Sequence, residues 1–235
     1  MTRLRHHAAR RRVPALAASG VFGLLAALWI AGAFRAYRQI VILWGVDVFD
    51  FPFLDTETML SGARCLRAGI DIYVSNPCDT LGRIYDYSPL WMLVAHLPVT
   101  LAWGAPAGLI VALAYIGSLL LLPEARTARH TVAIALGAVS SVAVFAVERG
   151  NNDLLLFLLA GAAATLACRS PRARLLGYGL ALLAGLLKYF PLALLALAAR
   201  EPPRRAAAIA AVAILLTLLF AASAWHDLVR ALGLI

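Results

Sequence analysis

The sequence predicts an all-α fold: a polytopic integral membrane bundle of about 6–8 transmembrane helices, some short or broken. One long extracytoplasmic loop, carrying an interfacial helix, completes the expectation. Three observations lead there. The 235 residues are 63% hydrophobic with a mean hydropathy of +0.84, far more apolar than a soluble domain. The apolar residues fall in charge-free blocks: Val13 to Phe34, Thr131 to Val147 and Ala206 to Trp225 run for 22, 17 and 20 residues. Blocks of that length match the hydrocarbon thickness of a bilayer, where a helix satisfies its own backbone. Finally, the arginines gather in short segments between the blocks, as the preference of basic loops for the cytoplasm requires. The net charge of +9 is therefore read as topology and not as nucleic-acid binding. A single membrane domain, residues 1–235, accommodates the whole chain, and the inner membrane of a bacterial cell is its expected place.

Residues 1–12 form a basic tail with five arginines, which sets the N-terminus in the cytoplasm. The block at 13–34 is too long for a signal-peptide core and reads as an uncleaved first helix. Residues 35–88 are the polar loop. It holds seven of the twelve acidic residues (Asp47, Asp50, Asp55, Glu57, Asp71, Asp79, Asp86) against five arginines. Within it Met59, Leu60, Ala63 and Leu66 recur at helical spacing, with Gly69 as a stop, so a helix along the membrane surface is expected. Cys65 and Cys78 share this loop and are either paired or two free thiols. Cys168, at a helix end, reads as inert.

From Pro89 to Leu122 the chain is apolar but broken by Pro98, Gly104 and Pro106, which predicts two helices, the first short. Blocks at 131–147 and 154–168 flank the turn ERGNND (148–153). Residues 175–199 contain Lys188 and Pro191 near the middle, and 206–225 is the last helix. The basic loops 124–130, 168–174 and 200–205 all favour the cytoplasm. They agree if part of 89–122 does not cross fully and 175–199 is a re-entrant hairpin.

Several residues are candidates for chemistry. Asp55, an acid just ahead of the interfacial helix, suits a general base acting on a hydroxyl, or a helix cap. Asp71 and Asp86, in the aromatic-rich turns GIDIY and YDYSP, are acid candidates or turn formers. Tyr73, Tyr85 and Tyr87 suit an interfacial belt. Glu148, Arg149, Asn151, Asn152 and Asp153 form either a plain turn or a polar cluster at membrane depth, where such groups serve function. Lys188 is the only lysine, amid apolar residues, and needs a phosphate, an aqueous cavity or a route to the interface. Arg83 is a phosphate contact or an ion-pair partner. No CxxC, HExxH or Walker pattern occurs, so no metal site and no cofactor are expected.

The order of these features resembles the GT-C superfamily of membrane glycosyltransferases, and within it glycosyltransferase family 87. The features are Asp55 in the loop after helix one, Gly69 with Asp71 and Tyr73, YDYSP opening the next helix, a GNN turn, and KYFP after a basic loop. The likeness covers about residues 13–225, and the chain is short against that family, as if truncated at its C-terminus. The resemblance implies transfer of mannose or a pentose from a polyprenyl-phosphate donor to an extracytoplasmic glycan or glycolipid acceptor, with inversion and without metal. It implies Asp55 as the base, and Arg149, Lys188 and Arg83 as contacts to the departing phosphate, with Asn151 and Tyr87 also binding substrate. Membrane lipid is an implied partner, and the short length leaves room for a membrane protein partner. A lipid-linked-substrate transporter or flippase component, or a non-catalytic membrane subunit, are the alternatives.

Overall fold

The computed structural model describes residues 2–49 and 51–233, without the side chains of residues 2–11 and Leu232. Asp50 of the acidic loop thus lies outside the described residues, as do the side chains of the tail arginines before Arg12. Every regular element among the described residues is helical. The chain divides into two compact units, residues 1–56 with 105–158, and residues 57–104 with 159–235.

The first unit is built on α1 (Thr2–Ile30). Its stretch Arg12–Ile30 is long and apolar enough to cross a membrane. The chain then breaks and forms α2 (Phe34–Leu43), inside what the sequence reads as loop. Tyr37 and Val41 of α2 are buried, so its apolar stripe joins the core of the unit while Arg35 and Arg38 stay off it. The unit also holds the start of α3 (Leu54–Arg67), most of α4 (Gly104–Ser118), α5 (Ala128–Ala138), α6 (Ser141–Arg149) and the first turns of α7 (Asp153–Ala167). Leu101–Leu121, comprising α4 and its 3-10 ends, is a second candidate span. Ala18 and Phe22 of α1 pack with Tyr115 of α4 and Val144 of α6 in one apolar core.

The block expected at 131–147 is not one helix. It bends by 40° between α5 and α6, and the pair passes as a membrane span only when taken together. The bend frees carbonyls that a bilayer cannot hydrate, and side chains from elsewhere in the unit meet them. Tyr115 Oη donates to Ala138 O at 2.9 Å, and Trp44 Nε1 donates to Val139 O at 2.7 Å. Ser140 caps α6, accepting from Ala143 N.

The second unit holds the rest of α3 and α7, then α8 (Pro171–Leu187), a 3-10 segment Phe190–Arg200, α9 (Pro203–Ser223) and α10 (Trp225–Gly233). On α3 the expected face is present: Met59, Leu60 and Ala63 are buried, although Leu66 is exposed. The helix ends at Arg67, and the chain turns at Gly69 with φ +77°. A disulfide joins Cys65 to Cys78, with Cα atoms 5.8 Å apart. Beneath it Ile72, Tyr85 and Met92 form a second core. Pro89–His96 is a short 3-10 helix, the broken first piece that Pro98 predicts.

α8 and Phe190–Arg200 pack together as the two arms of a hairpin that breaks at Lys188. A 3-10 helix rises about 2.0 Å per residue against about 1.5 Å in an α-helix, so the shorter arm nearly matches the longer. The basic loops at its two ends consequently meet. Glu201, buried, pairs with Arg174 and with Arg205, at 3.3 Å from the latter. Arg205 also donates to Pro171 O at 3.0 Å. Residues 175–199 thus fold back on themselves within this unit. α9 is the third candidate span, and only 6% of its apolar window is buried.

Among the described residues three helices, or four with the bent pair, are therefore long and apolar enough to cross a membrane. α7 and Phe190–Arg200 are apolar but shorter.

Candidate functional site

The candidate residues fall into two groups, one in each unit. In the first unit the chain entering α3 is held against the ERGNND turn. Phe53 N donates to Glu148 O at 2.7 Å, and Thr56 Oγ1 donates to Gly150 O at 2.9 Å. Between them, Asn151 Nδ2 donates to Asp55 Oδ2 at 2.7 Å. The acid of the first loop and the asparagine of the GNN turn, 96 residues apart, thus share one hydrogen bond.

Local chemistry explains why these atoms meet. Gly150 ends α6 in the left-handed region, with φ +58°. A Cβ there would lie 2.3 Å from Thr56 Oγ1, so glycine is needed both for the turn and for the approach of α3. The Oδ1 of Asn151 accepts from Asp153 N at 2.8 Å, which fixes its carboxamide and aims Nδ2 at Asp55. Phe53 itself has φ +66°, and its ring rests on Gly108 of α4, where a Cβ would come within 2.1 Å. Asp55 is the second residue of α3, not its cap, and is 7% exposed.

Arg149 adds a cation in the same turn. Its guanidinium lies over the rings of Phe49 and Phe145, 4.1 and 5.0 Å from their centroids. Its Nε is 3.5 Å from Glu148 Oε2. Glu148 is buried, and neither of its carboxylate oxygens meets a hydrogen-bond donor among the described residues. Sequence reasoning names Glu148 as part of ERGNND but gives it no role. The available signal is its place at the end of an apolar helix, beside an arginine that cannot neutralise it at full contact.

In the second unit the YDYSP segment meets the end of α8, just ahead of KYFP. Ser88 Oγ donates to Leu186 O at 2.8 Å, and Trp91 Nε1 donates to Leu187 O at 3.2 Å. These two side chains close the carbonyl end of α8. Lys188 follows at the hairpin's tip, with Nζ 5.7 Å from the Phe190 ring centroid. Tyr87 stacks at a tilt on Tyr85, 5.6 Å between centroids.

Arg83 belongs to a different cluster of this unit. Its Nε and Nη2 donate to Asp79 at 3.2 and 3.0 Å, and Nη2 also meets Thr58 Oγ1. Asp79 takes two backbone amides as well, from Leu81 at 2.9 Å and Arg83 at 3.1 Å. Burial opposes the charge on Asp79, but the Arg83 guanidinium and these amides outweigh it and hold the carboxyl below its usual range. Glu57, 3.9 Å from Arg83, is pushed up, by burial first, although Thr80 and Arg83 oppose it. Of Arg83's two expected roles, the ion-pair partner is the one this geometry displays.

Asp55, Arg149 and Asn151 are therefore together in one unit, and Arg83, Lys188 and Tyr87 are in the other. Among the described residues no group of three or more His, Cys, Asp or Glu side chains is arranged to hold a metal. The fold and its apolar spans define a helical membrane protein with a buried, hydrogen-bonded carboxylate at the mouth of one helix. Compared with known proteins, the chain matches no family model, no curated protein and no solved structure.

Proposed function

We propose that this chain is a GT-C-type membrane glycosyltransferase that moves a mannose- or pentose-type sugar from a polyprenyl-phosphate donor to an extracytoplasmic glycan or lipid acceptor. The observation that carries the reading is the hydrogen bond from Asn151 to Asp55, which joins two features of the resemblance in one buried place. Asp55 takes the proton of an acceptor hydroxyl as that oxygen attacks the anomeric carbon. The bond from that carbon to the phosphate oxygen breaks, with inversion, and the lipid phosphate leaves with the bonding pair. Asn151 orients the carboxylate. Arg149, in the same unit as Asp55, stabilises the departing phosphate.

The Cys65–Cys78 disulfide supports an oxidising compartment for the loop that carries Asp55. The pairing of the basic loops 168–174 and 200–205 supports a re-entrant 175–199 with both loops cytoplasmic. In this reading α7 and the hairpin add short or broken passages to the longer spans, towards a total of about 6–8 in an inner membrane. The test is transfer from a labelled polyprenyl-phosphate sugar by the reconstituted chain, with and without Asp55→Asn. Transfer by the native chain and none by the variant supports the reading, whereas undiminished transfer by the variant removes Asp55 as base.

A further inference from the structure

Between the Phe190–Arg200 arm of the hairpin and α9 runs a groove of about 320 Å³. Its lining is small at Ala198, Ala210 and Ala213 and larger at Leu192, Ile209 and Leu218. Among the described residues Thr217 is the one polar side chain in that lining, and its hydroxyl donates to Ala213 O, within α9, at 2.8 Å. The groove thus presents no spare hydrogen-bonding group and suits hydrocarbon. From Ile209 to Leu218 it follows α9 for about 14 Å at roughly 1.5 Å per residue. One leaflet of a bilayer's hydrocarbon core is about 15 Å deep.

One end of the groove meets concentrated positive charge. Glu201 N donates to Ala198 O at 2.9 Å, and Arg205 stands one helical turn before Ile209 on α9. Loops 168–174 and 200–205 hold six arginines against a single acid, Glu201. Glu201 is buried and shared between Arg174 and Arg205, which fastens the two loops to each other. Arg169, Arg172, Arg200 and Arg204 are exposed beside that pair, and their charge exceeds what one carboxylate offsets.

We propose that the groove and its basic end bind one anionic phospholipid of the bilayer, an acyl chain lying between the arm and α9 and the phosphate meeting the arginines of the joined loops. The groove calls for an alkyl chain and the loops for net negative charge, and such a lipid supplies both. A zwitterionic headgroup would bring its ammonium against the same arginines. A soluble phosphate would leave the groove unfilled. All of these residues lie in the second unit. The proposal uses no residue of the transfer reaction and does not rest on it.

The experiment is native mass spectrometry of the full chain released from detergent, titrated with dioleoyl phosphatidylglycerol or dioleoyl phosphatidylcholine. The acyl chains are identical, so the difference reads the headgroup. Phosphatidylglycerol is expected to bind at least about fivefold tighter, the effect of one arginine on an anionic lipid. Arg200→Gln with Arg204→Gln is expected to weaken it by about twenty-five-fold, fivefold for each arginine. Arg126→Gln with Arg129→Gln removes the same charge from the loop 124–130 and is expected to change nothing. Ala210→Phe fills the groove from an exposed position and is expected to cost both lipids most of their binding. Thermal unfolding checks each variant, and the arginine comparison decides the matter even where Ala210→Phe unfolds early. Equal affinity for the two lipids, full binding without Arg200 and Arg204, or an equal fall in both arginine variants overturns the proposal. Full competition by glycerol phosphate, which has no acyl chain, overturns it by removing the groove. Displacement by an equal concentration of a polyprenyl phosphate overturns it by giving the groove to a donor lipid. If the chain transfers no sugar yet keeps its preference for phosphatidylglycerol, the reaction fails and this site stands.

Discussion

Asp55 and Asp79 are two carboxylates of the same polar segment, 7% and 5% exposed, and they are held in contrasting ways. Asp79 is met by a guanidinium from four residues on, two backbone amides and the Thr58 hydroxyl. That donor set is local, cationic and shaped to close a turn. Asp55 is met by the carboxamide of Asn151 from a distant turn, a donor that orients a carboxylate without supplying a charge. Burial is alike at the two acids, and the hydrogen bonds described differ in the part of the chain they come from.

Each side of this contrast can be broken separately. The largest expected loss of stability follows Arg83→Met, which leaves Asp79 buried without its cation. Uncompensated buried charges cost about 3–5 kcal/mol, and the partial exposure of Arg83 places this change near about 3 kcal/mol. Thermal unfolding in nanodiscs measures it, and a shift within error would remove the structural role of Asp79. Cys65→Ser with Cys78→Ser is expected to lower stability by roughly 3 kcal/mol, because a short loop loses its cross-link. Unfolding with and without reductant gives the same quantity independently.

Gly150→Ala sharpens the other side. The new methyl strains a left-handed residue and presses on Thr56, beside Asp55. About 2 kcal/mol of stability is expected to go, together with at least about tenfold of transfer activity. Loss of stability with full transfer would show that the seating of α3 on the turn does not matter to the site. The smallest effect is that of pH. The carboxyl of Asp79 titrates below its usual range when folded, so the unfolded chain takes up the proton first as pH falls. Its contribution is complete above the ordinary carboxylate range and fades as pH falls through the depressed value. The native profile, minus that of Asp79→Asn, is expected to show this fall only on the acid side, and a flat difference would contradict it.

The sequence made some of this legible. The apolar blocks mark the long spans, and Lys188 with Pro191 marks the break that turns 175–199 into a hairpin. Gly69 marks the stop after α3. The bend between α5 and α6 carries no proline, because distant side chains of Trp44 and Tyr115 satisfy its carbonyls. Helix α2 is hidden by Arg35 and Arg38, whose charges make an amphipathic helix look like loop. Counting apolar blocks leads to about 6–8 passages, whereas length and apolarity together select three among the described residues, or four with the bent pair. Residue type singles out Asp55, Asn151 and Arg149, but spacing along the chain does not disclose that a glycine-ended helix brings the first two into contact.

The most direct measurement compares Asp55→Asn with Asp79→Asn in the same nanodiscs, reading both sugar transfer from a polyprenyl-phosphate donor and thermal unfolding. Asp55→Asn is expected to lose at least about a hundredfold in transfer while unfolding near the native temperature. Asp79→Asn is expected to unfold several degrees lower and to retain transfer. The opposite pattern, with transfer surviving at Asp55 and failing at Asp79 in a stable protein, would contradict the account.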